Sequence, residues 1–536
     1  MQPWILAVDL GNGGPKVAVV GSDGEILGTG ATPVSVQIGL DGTATQDAEE
    51  WMSALLTAVS GALRTASADP AALHAVGITG QWGSTVPVGA DGRPVGPVLL
   101  WADTRAQRHA REVIGGPVNV GGIAPHKALP WVRLTGGAPS PSGADPTGHS
   151  LLLQNELVDI GRRAVSLMEP VDYLAFRLTG RAVATPASMI LSWLTDNRPG
   201  APLGYVPSLV ARARRDPALL PELVPTGSVQ GSLLPEIAEE LGLRAGAPVI
   251  TGLPDLHAAI VGSGTVQPYQ SHLAVSTTAW LSARVPFKKT DVLHSIATLP
   301  GLDPVLPVVG NNIETGGAAL SWLREQIIAP HDGLAGGGSG IGADGAAPSH
   351  AQPSFDDLTR LAATAPAGSE GVLFTPWLAG ERSPVENKDL RGTWLNMSLR
   401  TDRAILTRSV LEGVALNVRW LYGYYNRFLG QRPKTLRILG GGAQSDLWCG
   451  IFASVLETPI ERVADPLNAQ LRGVALWTRV CLGEMSLHEA AARVPVSGRF
   501  DPNPPDVRVY REAFEEYRRL AGTLGGLYRR LNSAGG

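Results

Sequence analysis

The spacing of apolar residues changes in a regular way along this chain. An unbroken apolar run, Trp4-Ile-Leu-Ala-Val, ends in one carboxylate, Asp9; the turn Leu10 to Gly14 leads through Pro15-Lys16 into a second run, Val17-Ala-Val-Val20. Continuous apolar runs on either side of glycines read as a hairpin of buried strands. A third apolar run lies near Ala31 to Val36. The period then becomes helical, with Met52, Leu55, Leu56, Val59 and Leu63 on one face, and Asp47 with Glu50 three residues on predicts a capping box. A strand at Ala75 to Ile78, a loop at Thr79 to Ser84, a turn at Ala90 to Arg93 and a strand at Val98 to Trp101 follow. Strands that give way to alternating helices and strands indicate an α/β sheet domain.

The same texture returns in the second half. Pro248 to Gly252 reads as a strand ending in a turn, and His272 to Ala283 as strand, small-residue turn (Ser276-Thr277-Thr278) and strand. Leu436 to Leu439 feeds the glycine turn Gly440 to Ser445 and then a helix. Small-residue turns let backbone N–H groups approach an anion. Two α/β halves that each offer one predict a nucleotide held in the cleft between them. At 536 residues the chain is too long for one ordinary core. The tail from Arg508 reads as an amphipathic helix, packed on the C-terminal half or on a partner. Gly136 to Pro146 and Gly333 to Pro348 read as mobile surface loops.

Composition narrows the function. The formal charge is -4 with no basic block, which argues against nucleic acid as a partner. Two cysteines, Cys449 and Cys481, cannot build a disulfide framework and are expected to be reduced thiols. Without a signal-peptide pattern or a run long enough to span a bilayer, a cytoplasmic location is expected, with no membrane partner. At the first turn, Asp9 beside glycines suits a divalent cation on nucleotide phosphates; the alternative is a turn carboxylate with no ligand. Asp255, at the end of an apolar strand, reads as a cleft carboxylate or as the N-cap of the next helix. His257 reads as a packed helix residue, and Trp51, Trp280, Trp322 and Trp420 as core.

These segments together resemble the FGGY family of carbohydrate kinases, most closely its xylulokinase-like members, from about Ile5 to about Leu482. The family's Asp-x-Gly-Thr-Ser/Thr-x-x-Lys/Arg stands here as Asp9-Leu-Gly-Asn-Gly-Gly-Pro-Lys16, with Asn12 and Gly13 in place of two hydroxyl residues. Gln46-Asp47, Gly80-Gln81-Trp82-Gly83, Trp101-Ala-Asp-Thr-Arg105, Asp172-Tyr173-Leu174 and Leu178-Thr179-Gly180 stand at further family motifs. So do Gly252-Leu-Pro-Asp255, Gly310 to Gly317, Gly380-Glu-Arg-Ser-Pro384, Gly392-Thr-Trp394 with Ser409 to Gly413, Gly440 to Ser445 and Gln470 to Ala475. Departures are Asn396 for a glycine, Ile405 for a polar residue, one extra residue between Lys127 and Trp131, Leu256 for Asn, and Gly83 for a His that often contacts sugar hydroxyls.

The resemblance implies a two-domain actin/hexokinase/Hsp70-like, ribonuclease H-like ATPase fold with an interdomain cleft. Residues 1–263 would form the sugar-side domain, 264–500 the nucleotide-side domain and 501–536 a helical tail. It implies an ATP-dependent kinase that phosphorylates a hydroxyl of a small sugar or polyol, pentulose-like in the first instance. Asp255 would be the general base and Asp9 would lie at Mg2+. Gln81, Trp82, Gly83, Trp101, Asp103 and Arg105 would contact the sugar, although Asp103 and Arg105 could instead pair as a structural clamp. Gly11, Asn12, Gly13, Lys16, Thr277, Thr278, Gly316, Gly441, Gly442, Ala443 and Ser445 would hold the nucleotide. A homodimer is expected from the family. The different-class alternative, motivated by Asn12-Gly13 and Leu256, is a sugar- or nucleotide-binding protein without catalysis.

Overall fold

The computed structural model describes residues 2–119, 122–329 and 352–532. The segment Gly333 to Pro348, expected as a loop, lies outside these residues. Two sheets organise the rest. In the first, the order is Val229–Ser232, Pro248–Ile250, Leu73–Gly80, Trp4–Gly11, Gly14–Val20 and Ile26–Ala31, with Leu253–Pro254 also pairing with Leu73–Gly80. The second runs Ala279–Ala283, Ser271–Val275, Leu436–Leu439, Ile460–Val463 and Val496–Phe500.

Each sheet contains the same unit, an antiparallel hairpin whose first strand also pairs in parallel with a later strand. Trp4–Gly11 pairs with Gly14–Val20 and, in parallel, with Leu73–Gly80. Ser271–Val275 pairs likewise with Ala279–Ala283 and Leu436–Leu439. These strands are covered on both faces, which is why they read as continuous apolar runs rather than alternating ones.

Glycines set how closely helices approach the first sheet. A Cβ on Gly30 would stand 2.0 Å from the Ala58 carbonyl oxygen, and one on Gly28 2.4 Å from the Ala66 nitrogen, so the helix Ala48–Ala66 lies directly on the strand Ile26–Ala31. Asp47 caps this helix as expected, accepting from the Glu49 N–H. Glu50 does not close a capping box; its carboxylate accepts from the Ser35 N–H at 2.9 Å.

The two halves are joined by a helix crossing between Asp255–Gly262 and Ala469–Cys481. A Cβ on Gly262 would lie 1.8 Å from the Ala469 oxygen, and one on Gly473 2.1 Å from the Ala258 oxygen. Around the crossing, Ile5, Ala7, Val261, Ala274, Leu439 and Val474 form one shared core. Arg472 and Arg493 of the second half donate to the carbonyls of Gly24 and Ser22 in the first.

The tail is a helix, Pro504–Asn532, that packs on the second half. Tyr510 donates to Glu412 at 2.8 Å and Tyr517 to Asn417 at 3.1 Å, and both tyrosines are buried. The segment 136–146 is packed rather than a loose surface loop. Asp145 caps the helix Pro146–Asn155, and a Cβ on Gly143 would meet Ala106 at 2.5 Å. Among the described residues, no helix is long and apolar enough to cross a membrane.

Candidate active site

Asp9, Gln81 and Asp255 are brought together by strand register. Asp9 lies opposite Lys16 across the hairpin and beside Thr79 in the parallel pairing, while Leu253 and Pro254 pair with Thr79 and Gly80. Asp9 therefore stands near the end of the first of three adjacent strands, with Leu73–Gly80 in the middle. Gln81 follows the second, with its N–H on the Leu10 carbonyl at 2.8 Å, and Asp255 follows the third. Asp255 also opens the helix Asp255–Gly262 and accepts from the Leu256 N–H at 2.7 Å.

Burial governs the charges here. It pushes the Asp9 carboxyl above the ordinary carboxylate range, and Lys16, on the same face of the hairpin, acts in the opposite sense. The Asp255 carboxyl is raised to about 7, first by burial and then by the charge of Asp9; hydrogen bonds from Leu256 N–H and the Trp82 side chain hold it lower than burial alone would. A carboxyl that titrates near neutrality at a strand end is matched to proton abstraction.

The sugar-side loops are tied to the first turn by a chain of hydrogen bonds. The Asn12 side chain accepts from the Trp101 indole at 3.1 Å, and its backbone oxygen accepts from Gln46 at 2.7 Å. Gln46 accepts in turn from Gln81 (3.2 Å) and Trp51 (3.3 Å). Asn12, assigned to the nucleotide from the sequence, thus spends its side chain on Trp101. The Gln81 carbonyl oxygen is buried and has no partner. An orphaned buried acceptor at this place fits a ligand hydroxyl.

Asp103 is not free for substrate. It is fully buried, and it accepts from Ala44 N–H, from Arg105 N–H and from the Arg105 guanidinium, whose Nη2 lies at 2.7 Å. Asp103 and Arg105 form an ion pair, in which Arg105 keeps a partly exposed side chain. Gly83 has φ near +79°, and a Cβ there would meet Leu191 at 2.7 Å. The space above Gly83 is therefore filled by Leu191. Trp82 is half-buried, and Lys16 is exposed.

On the second sheet, three segments converge. Gly316 N–H donates to the Thr277 oxygen at 2.9 Å, and a Cβ on Gly316 would stand 2.5 Å from the Thr278 oxygen. A Cβ on Gly440, where φ is near +91°, would stand 2.5 Å from the Val275 oxygen and 3.0 Å from Ser276 Oγ. Thr277 and Gly441 are exposed, and a Cβ on Gly441 would meet nothing. Gly442 and Ala443 are buried, and Ser445 is occupied as the N-cap of the helix Asp446–Leu456. Gly440 N–H donates to Pro466, and Gln470, four residues on, donates to the Asp255 backbone oxygen at 3.4 Å.

Two buried acids organise the loops without having been identified from the sequence. Glu381 accepts from the N–H groups of Glu314 and Arg382, joining the 310–317 segment to the 380–384 loop. Glu169 accepts from the Gly83 N–H at 2.8 Å. Motif matching gave Glu381 a place but no role; Glu169 had no sequence signal. His257 is packed as expected, with Nε2 2.7 Å from the Pro300 oxygen.

Among the described residues, no group of three or more His, Cys, Asp or Glu could hold a metal ion by itself. Asp9 alone fits a cation that arrives largely ligated by phosphates and water.

Comparison with known proteins shows the family. Residues 4–120 match the N-terminal domain of the FGGY family of carbohydrate kinases, and residues 283–485 match its C-terminal domain. The chain is 24% identical over 527 residues to a xylulose kinase of Lactococcus lactis, covering 96% of each chain. It is 27% identical over 472 residues to an erythritol kinase of Brucella abortus, covering 86% of this chain and 84% of that one. A gluconate kinase structure from Lactobacillus acidophilus superposes with a TM-score of 0.81 at 20% identity, covering 99% of this chain and 100% of that one.

Proposed function

The chain belongs to the FGGY family of carbohydrate kinases, and from that premise we propose that it transfers the γ-phosphoryl group of ATP to a hydroxyl of a small sugar or polyol, with Asp255 as general base. The observation that carries this reading is the Asp9–Asp255 pair, at the ends of the two strands that flank Leu73–Gly80, with the Asp255 carboxyl raised to about 7 and the Asp9 charge among the causes. A family member without catalysis would have no need to keep two half-buried carboxylates, one raising the pKa of the other.

In this reading Asp255 takes the proton of the acceptor hydroxyl as that oxygen bonds to phosphorus. Gln81 accepts a hydrogen bond from a second hydroxyl through its unpaired oxygen, and Trp82 and Trp101 supply flat walls. Asp9 would hold Mg2+, directly or through water; when bound, the ion neutralises charge on the phosphates. Lys16, on the same face of the hairpin, adds a cation. The exposed turns at Thr277 and Gly441 grip the nucleotide. Helices crossing at Gly262 and Gly473 give the halves a common pivot for closure, which excludes water from the transfer.

The named relatives act on a ketopentose, a tetritol and a sugar acid, so relatives do not fix the acceptor. Leu191 above Gly83 and the indole of Trp82 replace polar contacts with apolar surface, which favours an acceptor with fewer hydroxyls on that side than D-xylulose presents. The test is ADP release with Mg2+-ATP across ketoses, aldoses, polyols and aldonates, with Asp255→Ala as control. Acceptor-dependent ADP that the substitution abolishes is expected. No stimulation by any acceptor, with ATP or sugar binding intact, would favour the binding-protein reading.

A further inference from the structure

We propose that Glu169 is a positioning residue for the acceptor site, fixing the Gln81–Ser84 loop and the Trp101 turn so that its loss weakens the acceptor and spares the nucleotide. The inference rests on the kinase reading above. Glu169 is 2% exposed and precedes the helix Pro170–Thr179. Its Oε2 accepts from Gly83 N–H at 2.8 Å, and Ser84 N–H is a second donor to the same carboxylate. Ser84 Oγ accepts in turn from Trp101 N–H at 3.1 Å. One carboxylate therefore sets the far end of the loop carrying Gln81 and Trp82 and, through Ser84, the turn carrying Trp101.

The loop's other supports include the Gln81 side chain on Gln46, the Trp82 side chain on Asp255 and the backbone pair of Thr85 with Leu99. Its near end is pinned by Gln81 N–H on Leu10, leaving Trp82 alone between the two anchors. Gly83 sits at a positive φ with Leu191 and Trp101 against the place of a Cβ, so no side chain there could take over. Thr85, next along, is held by His149, 3.0 Å away and fully buried. Losing Glu169 would leave two buried N–H groups without an acceptor, a larger penalty than the net worth of the bonds, and the loop would relax to find partners.

The surroundings of Glu169 make the test specific. Burial and then Asp172, one turn along the helix, push its carboxyl well above the usual range; Arg215 and the two N–H donors act against that. Glu169 Oε1 is buried without a partner. The neutral amide of Gln keeps one acceptor oxygen at the same reach, whereas Ala removes it.

The experiment is steady-state kinetics of the full chain with Mg2+-ATP and its best acceptor, comparing wild type, Glu169→Gln and Glu169→Ala. Glu169→Ala is expected to raise the acceptor KM about tenfold or more with the ATP KM within about twofold, and Glu169→Gln to stay within about threefold of wild type for both. An unchanged acceptor KM in Glu169→Ala, an equal rise for both substrates, or a Gln variant as impaired as Ala would overturn the proposal. If Glu169→Ala does not fold, Glu169→Asp, which withdraws the carboxylate by one methylene, must show the same acceptor-selective rise or the proposal fails. A wild-type protein with no acceptor-dependent ADP release would instead remove the kinase reading and this inference with it, a result distinct from an active enzyme indifferent to Glu169.

Discussion

The hairpin Trp4–Val20 and the hairpin Ser271–Ala283 occupy equivalent places in two sheets, yet they are equipped differently. The first carries Asp9 on the strand and Lys16 opposite it, and Asp255 follows the strand Leu253–Pro254, on the far side of Leu73–Gly80. The second carries Ser276, Thr277 and Thr278 at its tip and packs against two glycine segments. Where the two half-buried carboxylates meet, the charge of Asp9 adds to burial and Asp255 is raised to about 7. On the proposed reading, one scaffold serves chemistry on one side and grip on the other, with the difference residing in a few residues at strand ends.

The contrast is sharpened most by removing the base. Asp255→Ala should cost about 10³-fold in kcat, read as acceptor-dependent ADP release. Asp9→Asn should cost roughly 10²-fold and weaken the dependence on Mg2+ concentration. The junction between the hairpins comes next: Gly262→Ala or Gly473→Ala, each placing a methyl against a backbone oxygen, should destabilise by about 1–3 kcal/mol and lower the Tm. On the gripping side, Thr278→Ala should raise the ATP KM about three- to tenfold and leave the acceptor KM unchanged. An equal effect on both substrates would erase the division of labour.

The smallest effect is in pH. Asp255 must be unprotonated to act, so kcat/KM for the acceptor should rise with pH through about 7. The charge of Asp9 helps to hold that value up, so Asp9→Asn should move the acid limb to lower pH. The sign for stability is opposite to that for activity: a carboxyl raised on folding contributes stability below its unfolded range that is lost as pH climbs through about 7. Asp255→Asn should therefore raise the Tm at pH 8 even as it abolishes turnover, whereas a Thr278 variant should show no such trade.

Both hairpins and the glycine turn after Leu439 were legible in the sequence because buried strands and small-residue turns leave local marks. Asp9 and Asp255 were legible by position, at the ends of apolar runs. What was not legible depends on partners distant in sequence. Asp47 was recognisable as an N-cap, but Glu50 turned to Ser35, fifteen residues away. Asp103 read as a sugar ligand with a clamp as the alternative, and the Ala44 N–H it accepts from lies 59 positions away. Glycines at 136–146 suggested mobility, whereas Gly143 is there for close approach to Ala106. Asn396, at a place where the resemblance expects glycine, adopts φ near +64°, a conformation that Asn tolerates better than most residues. Glu169 reaches a loop 86 positions away, a link no spacing rule could supply.

The most direct test of the account separates binding from turnover in Asp255→Asn. Calorimetric titration with Mg2+-ATP and with the best acceptor would be run beside ADP release on the same preparation. The account predicts affinities for both substrates close to wild type and no acceptor-dependent ADP. Turnover within about tenfold of wild type would contradict it, because a general base is worth roughly 10²–10⁴-fold and Asp255 would then not be the residue that takes the proton.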